Sequence, residues 1–367
     1  MIDWLQSFRA DASDLLARFL AWLFYFSQRV LRCTIVVSKA ANQSTDNREF
    51  VDSYSNTFYW IMLKDAVRMA AYEAAGTDPA LCRGKRFLDI GTGARMPLSM
   101  MVLRGGAAQV DAIEGNPTTY RRAAAFRESL AASTKDKIRL HCGLSTDVEL
   151  GQCGDALIHE LIGTVASSEG MVHSLADAQE RLLVAGARII PEQIATILVP
   201  VSRPSIRPRS AIASWIATGE TGLDQGRGVQ IVFNPSKRTW LSSTPVVVEQ
   251  FNCSPGALPM RSQVIQNTCH TITLERDGWF SGFLLGCHVV THAGIPAIDA
   301  LNQLTNWGQL YAQMVERPVR VAKNETIRVE FHVDAREFTP SYRLAVAFPK
   351  SGQANEIAWE GSGGLIQ

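Results

Sequence analysis

The sequence predicts an α/β protein in which a parallel sheet wound by crossover helices is followed by an antiparallel β-barrel, with a helical extension ahead of both. Three observations predict it. Short apolar runs alternate with helical stretches from Lys85 to Leu183. Strands that alternate in polarity and are broken by turn residues dominate after Thr196. An apolar, aromatic-rich segment at 15–31 lies within the first 37 residues.

In order, residues 15–31 read as a helix rich in Leu, Phe and Trp. Its uncharged run between Arg18 and Arg29 is ten residues, about half of what spans a bilayer. The segment opens on Asp3, Asp11 and Asp14 rather than on basic residues, unlike a signal peptide. We expect a helix that packs on the body or on a second subunit rather than an interfacial anchor, and a cytoplasmic protein. A polar linker at 42–47 leads to helices over 49–76, with 65–75 the most regular and Gly76 as C-cap. Strands are expected at 86–90, 109–113, 138–141 and 155–159, and helices at 97–104, 117–131 and 175–183. Later strands are expected at 246–251, 271–274, 279–290, 319–321, 326–333 and 342–348. With 367 residues, too many for one compact core, we divide the chain into an extension and linker (1–48), a Rossmann-like domain with its covering helices (49–200) and a barrel domain (201–367).

Apolar residues make up 46% and charged residues 19%, which excludes wholesale disorder. A net charge of +1, from 36 basic and 35 acidic residues, gives no footprint for nucleic acid. Seven scattered cysteines without a Cys-x-x-Cys pair read as free thiols in a reducing compartment, and no metal site is expected.

Phe87-Leu-Asp-Ile-Gly-Thr-Gly93 follows a strand and precedes a helix. Gly91 and Gly93 let the backbone pass close to a ligand at a helix N-terminus. Glu114 ends the next strand, 21 residues on, where a carboxylate accepts hydrogen bonds from two ribose hydroxyls. NAD(P) and S-adenosylmethionine both meet these demands. Asp89, two residues before the first glycine, favours the second, as does the missing third glycine, where Arg95 and Met96 stand.

Asp155-Ala-Leu-Ile-His-Glu160 is a strand ending in a carboxylate, and a small-residue loop leads from it to Glu169. Two glutamates nine apart on one loop can clamp a single cation. A planar guanidinium suits them, because its donor fork meets carboxylates bidentately. His159 reads as a packed strand residue.

Here the sequence resembles the protein arginine methyltransferases, whose double-glutamate loop has this spacing with a Met, here Met171, two residues past the second Glu. The resemblance covers roughly residues 49–348. Met62-Leu-Lys-Asp-Ala-Val-Arg68 resembles the family's N-terminal helix, which implies that Arg68 pairs with the cofactor's carboxylate. Tyr54 falls in the segment that folds over the cofactor, and Arg188-Ile-Ile-Pro191 resembles the entry to the barrel. Thr305-Asn-Trp307 stands where the family has Thr-His-Trp. With Asn306 in place of the His, the resemblance implies that its amide donates one hydrogen bond to Asp65 in place of a titrating dyad. Thr146 aligns with the residue that holds the adenine amine. Met62, Met171, Asp65, Asn306 and Trp307 are implied to surround the methyl acceptor, with both Met side chains crowding out a symmetric dimethyl product. The arm around 203–235, which implies a homodimer, is short. The implied activity is methyl transfer from S-adenosylmethionine to a guanidino nitrogen, with Glu160 and Glu169 as the catalytic pair. The neutral charge and altered loop tilt the acceptor toward free arginine or another small guanidine. Arginine in proteins is the alternative, and an inactive scaffold a third reading.

Overall fold

The computed structural model describes residues 2–37, 56–152, 154–205, 207–218, 223, 227–361 and 364–365. Tyr54, the linker at 42–47 and part of the arm region lie outside the described residues.

A five-stranded parallel sheet runs in the order Ile138–Cys142, Gln109–Glu114, Arg86–Ile90, Gly154–His159, Leu183–Ile190. Its three central strands are buried nearly throughout, as parallel strands covered by helices must be, and this explains why their sequences are mainly apolar, with Asp89 and Asp111 buried among them. The chain starts on Arg86–Ile90, moves outward through two strands, then returns to the other side of the first. That reversal opens a crevice at the carboxyl ends of the strands.

The helices differ from expectation at their ends. The helix expected at 175–183 is Met171–Arg181, because Gly170 adopts the left-handed conformation (φ 70°) that starts it there. Gly76 is the last helical residue rather than the cap, and Thr77 closes the helix by donating its N–H to Glu73 O and Ala75 O. Glycine is still required, since a Cβ on Gly76 would stand 2.8 Å from Met101 Cβ. The stretch expected as one helix at 117–131 ends at Glu128 and is followed by the short helix Ala132–Lys135.

The strand-rich half holds two antiparallel sheets. The larger has eight strands, with the long Gly278–Val290 paired to both Gln193–Ser202 and Gln309–Gln313. The smaller runs Ile265–Thr273, Thr326–Asp334, Ser341–Phe348, Gln353–Glu360, Gly364–Leu365. Along the seam between Val246–Asn252 and Ile265–Thr273, side chains take over from backbone pairing. Gln266 Nε2 donates to Gln250 O at 2.9 Å, Gln266 Oε1 accepts from Gln250 N at 2.9 Å, and Thr268 Oγ1 donates to Val248 O at 2.9 Å. Phe280 meets Phe283 and Phe348 edge-on at 5.2 Å in both cases, and Tyr342 stacks on Trp359 at 5.1 Å. One buried cluster continues from Tyr72 and Phe87 through Leu175 to Phe283 and Trp359, so both halves share a core.

The N-terminal helix Ile2–Arg29 packs on the body through Ala21 and Phe24, against Ile35, Ile61 and Phe233. The strand after it, Ile35–Val37, pairs with Gly228–Phe233 and becomes an edge of the large sheet. Leu15, Leu16, Phe19 and Trp22 remain exposed. Among the described residues no helix is long and apolar enough to cross a membrane.

Candidate active site

A cavity of about 440 Å³ opens at the carboxyl edge of the parallel sheet, over the crevice. Gly91, Gly93, Glu114, Thr146, Arg68, Met62, Glu160 and Glu169 all line it.

The glycine turn is built as the sequence demands. Gly91 and Gly93 sit at φ 76° and 71°, where a side chain is strained. Gly93 is also crowded, because a Cβ there would stand 2.7 Å from the Tyr59 ring. Tyr59 lies across the turn, its hydroxyl accepting from Arg95 N at 2.7 Å, and burial pushes that hydroxyl's pKa up. Glu114 Oε2 accepts from Gly93 N and Oε1 from Asn116 N, both at 2.9 Å. Each carboxylate oxygen has a second lone pair, so Glu114 keeps capacity for two hydroxyls. Burial raises its carboxyl, and the two backbone N–H groups hold it down. Asp89 stands apart from the lining. It is fully buried beneath the turn, where Oδ2 accepts from Thr92 Oγ1 at 2.7 Å, Ser99 Oγ at 2.5 Å and Ser99 N at 3.1 Å. Asp89 thereby ties the turn to the first turn of the helix Pro97–Arg104, and burial lifts its carboxyl to about 6.

Glu160 follows the strand Gly154–His159. Its Oε1 accepts from Trp307 Nε1 at 2.8 Å and meets Arg68 Nη1 at 3.0 Å, while the Arg68 guanidinium lies 5.5 Å from the centre of the Trp307 ring. Arg68 is 3% exposed, so its charge is held away from water and balanced by Glu160. Burial raises the Glu160 carboxyl, opposed by Arg68 and then Trp307. Arg68, expected to meet a cofactor carboxylate, lines the cavity beside Glu160.

The loop from Glu160 to Glu169 doubles back tightly. A Cβ on Gly163 would stand 2.0 Å from Ser168 Oγ and 3.0 Å from Glu169 Cγ. Its tip is anchored on the large sheet by a buried network that sequence reasoning missed. Ser167 Oγ donates to Glu249 Oε2 at 2.9 Å and pairs with Tyr342 Oη at 2.7 Å, while Thr196 Oγ1 donates to Glu249 Oε1 at 2.6 Å. Thr164 Oγ1 donates to Trp307 O at 2.8 Å. Phe338, from the smaller sheet's side, reaches the same cavity and packs where a Cβ on Gly170 would fall, at 2.2 Å. No local signal marks Glu249 or Phe338, since their partners lie 53 and more residues away in sequence.

Three expectations are corrected. Met171 is fully buried in the core and does not line the cavity, so Met62 alone of the pair does. Asn306 reaches Asp65 through its backbone N at 2.6 Å, and its side-chain amide donates to Ile61 O. The backbone makes this bond because Asp65 caps the helix Ala66–Gly76, with Oδ1 accepting from Arg68 N at 3.1 Å, which turns Oδ2 toward the loop. Asp65, Asn306 and Trp307 are therefore the frame of the site and not its lining. Tyr72, which does line it, donates its hydroxyl to His159 O at 3.0 Å.

No family model matches the chain. Among curated proteins it is 29% identical over 171 residues to the probable protein arginine N-methyltransferase 6 of Arabidopsis thaliana, across 46% of this chain and 38% of that one. It is 24% identical over 251 residues to the protein arginine N-methyltransferase 6 of Danio rerio, across 67% and 69%. The match thus spans well under half of the Arabidopsis relative's own length. Its fold is shared with a solved Trypanosoma brucei PRMT1 enzyme–prozyme heterotetrameric complex with AdoHcy, at TM-score 0.64 and 16% identity over 86% of this chain and 99% of that one. It is shared equally with protein arginine methyltransferase 10 of Arabidopsis thaliana, at TM-score 0.63 and 19% identity over 88% and 100%.

Proposed function

For this chain, a divergent relative of the protein arginine methyltransferases, we propose N-methyl transfer from S-adenosylmethionine to a guanidino nitrogen of arginine. The observation that carries the proposal is that Glu160 and Glu169 line one cavity with the glycine turn and Glu114. The cavity fits a nucleoside cofactor, since Gly93 has no room for a Cβ and Glu114 has lone pairs to spare. Gly91 and Gly93 would lie against it, Glu114 would hold its ribose, and Thr146, which lines the cavity, would stand at the adenine end. Bound S-adenosylmethionine supplies an electrophilic methyl group on a sulfonium.

Glu160 already accepts a guanidinium, that of Arg68, so its carboxylate is dressed for this class of cation. We assign Glu160 and Glu169 to orient the acceptor and concentrate its charge away from the attacking nitrogen. A free guanidinium keeps its proton far above neutral pH, so a carboxylate gains little by deprotonating it beforehand. The proton leaves the nitrogen as its bond to carbon forms, and we assign Glu160, whose carboxyl burial raises, to take it. The tilt toward a small guanidine finds no support, because the relatives are named for arginine in proteins. We therefore favour a protein side chain as acceptor. For the homodimer that the resemblance implies, we assign Ile212 and Trp215, exposed on the helix Pro208–Thr218, as contact residues.

The test uses thermal melting and turnover together. S-adenosylmethionine should raise the melting temperature, and Glu114→Ala should weaken the shift. Glu160→Gln and Glu169→Gln should keep the shift but lower turnover by about 10²–10³-fold, the scale of one lost preorganised electrostatic contact. Near-normal turnover in both glutamine variants would rule out the clamp.

A further inference from the structure

A second cleft, of about 530 Å³, opens behind the loop that carries Trp307. Arg32, Arg207 and Lys237 line it, and among the described residues no carboxylate does. The chain as a whole is close to neutral at +1, so this is a local segregation of charge. Lys237 is held against the wall, with Nζ donating to Asn302 Oδ1 at 2.6 Å and lying 5.2 Å from the centre of the Trp240 ring. Arg32 and Arg207 are exposed.

Hydroxyls supplement the cations. Ser210 Oγ accepts from Thr34 N at 3.1 Å and Ser236 Oγ from Arg238 N at 3.3 Å, so each hydroxyl proton remains available to donate. Both line the cleft, and Ser210 belongs to the first turn of the helix Pro208–Thr218, whose positive end favours an anion.

An unmet need inside the cleft points to a ligand. Thr305 lines it and is 4% exposed, yet its hydroxyl has no hydrogen-bond partner among the described residues. Gln309, 7% exposed, leaves its amide oxygen unpartnered in the same wall. Buried polar atoms are seldom left this way, because an unmade bond costs the whole desolvation of the group. The two lining residues Arg32 (φ 50°) and Asn234 (φ 55°) also hold left-handed backbone, a conformation that arginine seldom adopts and that recurs where ligands are gripped.

We infer that this cleft binds a small hydroxyl-bearing phosphate ester. The phosphate lies among Arg32, Arg207 and Lys237, and the ligand's hydroxyls meet Thr305 and Gln309. The site is separate from the methyl-transfer cavity and does not depend on that activity.

Calorimetric titration of the full chain with ribose 5-phosphate, at fixed ionic strength, tests it. One site is expected, with ribose alone giving no heat. Arg32→Asn combined with Arg207→Gln should weaken binding by about tenfold or more, since two charge-assisted contacts are lost. Asn tolerates the left-handed backbone at position 32, so this variant should melt as the unmodified protein does. Thr305→Val should weaken binding without lowering the melting temperature, and Glu114→Ala, in the other cavity, should leave it unchanged. Absence of binding to the unmodified protein, or unchanged binding by the double variant, would overturn the inference.

Discussion

At the scale of single residues, the buried polar groups define the site. His159 is fully buried, with Nδ1 accepting from Leu161 N at 3.3 Å, and burial lowers its pKa from 6.5 to about 3. A depressed folded-state value means that the folded form holds the neutral ring while the unfolded chain takes up a proton. The stability this provides is complete above about pH 6.5 and is lost as pH falls toward 3. His159→Gln keeps an acceptor for Leu161 N and cannot be charged. Its melting temperature should therefore fall less than that of the unmodified protein between pH 7 and pH 4, and parallel profiles would show that His159 is not the titrating group. Asp89, raised to about 6, acts with the opposite sign over a similar range, but it is common to both proteins and cancels in the difference. These roles were only half legible. The spacing of Gly91, Gly93, Glu114, Glu160 and Glu169 singles them out, whereas nothing in the sequence tells that Asp89 faces Thr92 and Ser99 instead of the cavity. That depends on which way a strand-end side chain turns.

At the scale of elements, tight turns set the positions of the functional groups. The glycine turn between Arg86–Ile90 and Pro97–Arg104 leaves no room at Gly93, with the Tyr59 ring 2.7 Å from a Cβ and φ at 71°. Gly93→Ala should displace Tyr59, cost about 1–3 kcal/mol of stability through backbone strain, and abolish the melting shift with S-adenosylmethionine. A variant that keeps the full shift would show that the turn does not contact the cofactor. Alternation of short apolar runs made the parallel sheet readable strand by strand. The antiparallel sheets were harder. Ile265–Thr273 is exposed or half-buried at almost every position, so its apolar pattern is weak and only its last residues were foreseen. The strand Gln353–Glu360 has Gln353 and Asn355 on the same face as the buried Ile357 and Trp359, which breaks the apolar alternation, and it was not foreseen. Seam bonds from Gln266 and Thr268 leave no periodic trace at all.

At the scale of the molecule, one apolar cluster runs from the parallel sheet into the barrel, and the loop from Glu160 to Glu169 is pinned to both. The two halves should therefore unfold together, in a single calorimetric transition. Two separated transitions would mean that the shared core is too weak to couple them. The same arrangement explains the site, because Glu160 comes from the parallel sheet while Trp307 and Glu249 come from the other half. The most direct measurement is incubation with S-adenosylmethionine labelled on the methyl group, offering an arginine-rich peptide and free arginine in parallel, with mass spectrometry of the products. The account predicts label on a guanidino nitrogen of the peptide, with free arginine a poorer acceptor and Glu160→Gln nearly inactive on both. Label on neither acceptor, or undiminished labelling by Glu160→Gln, would contradict it.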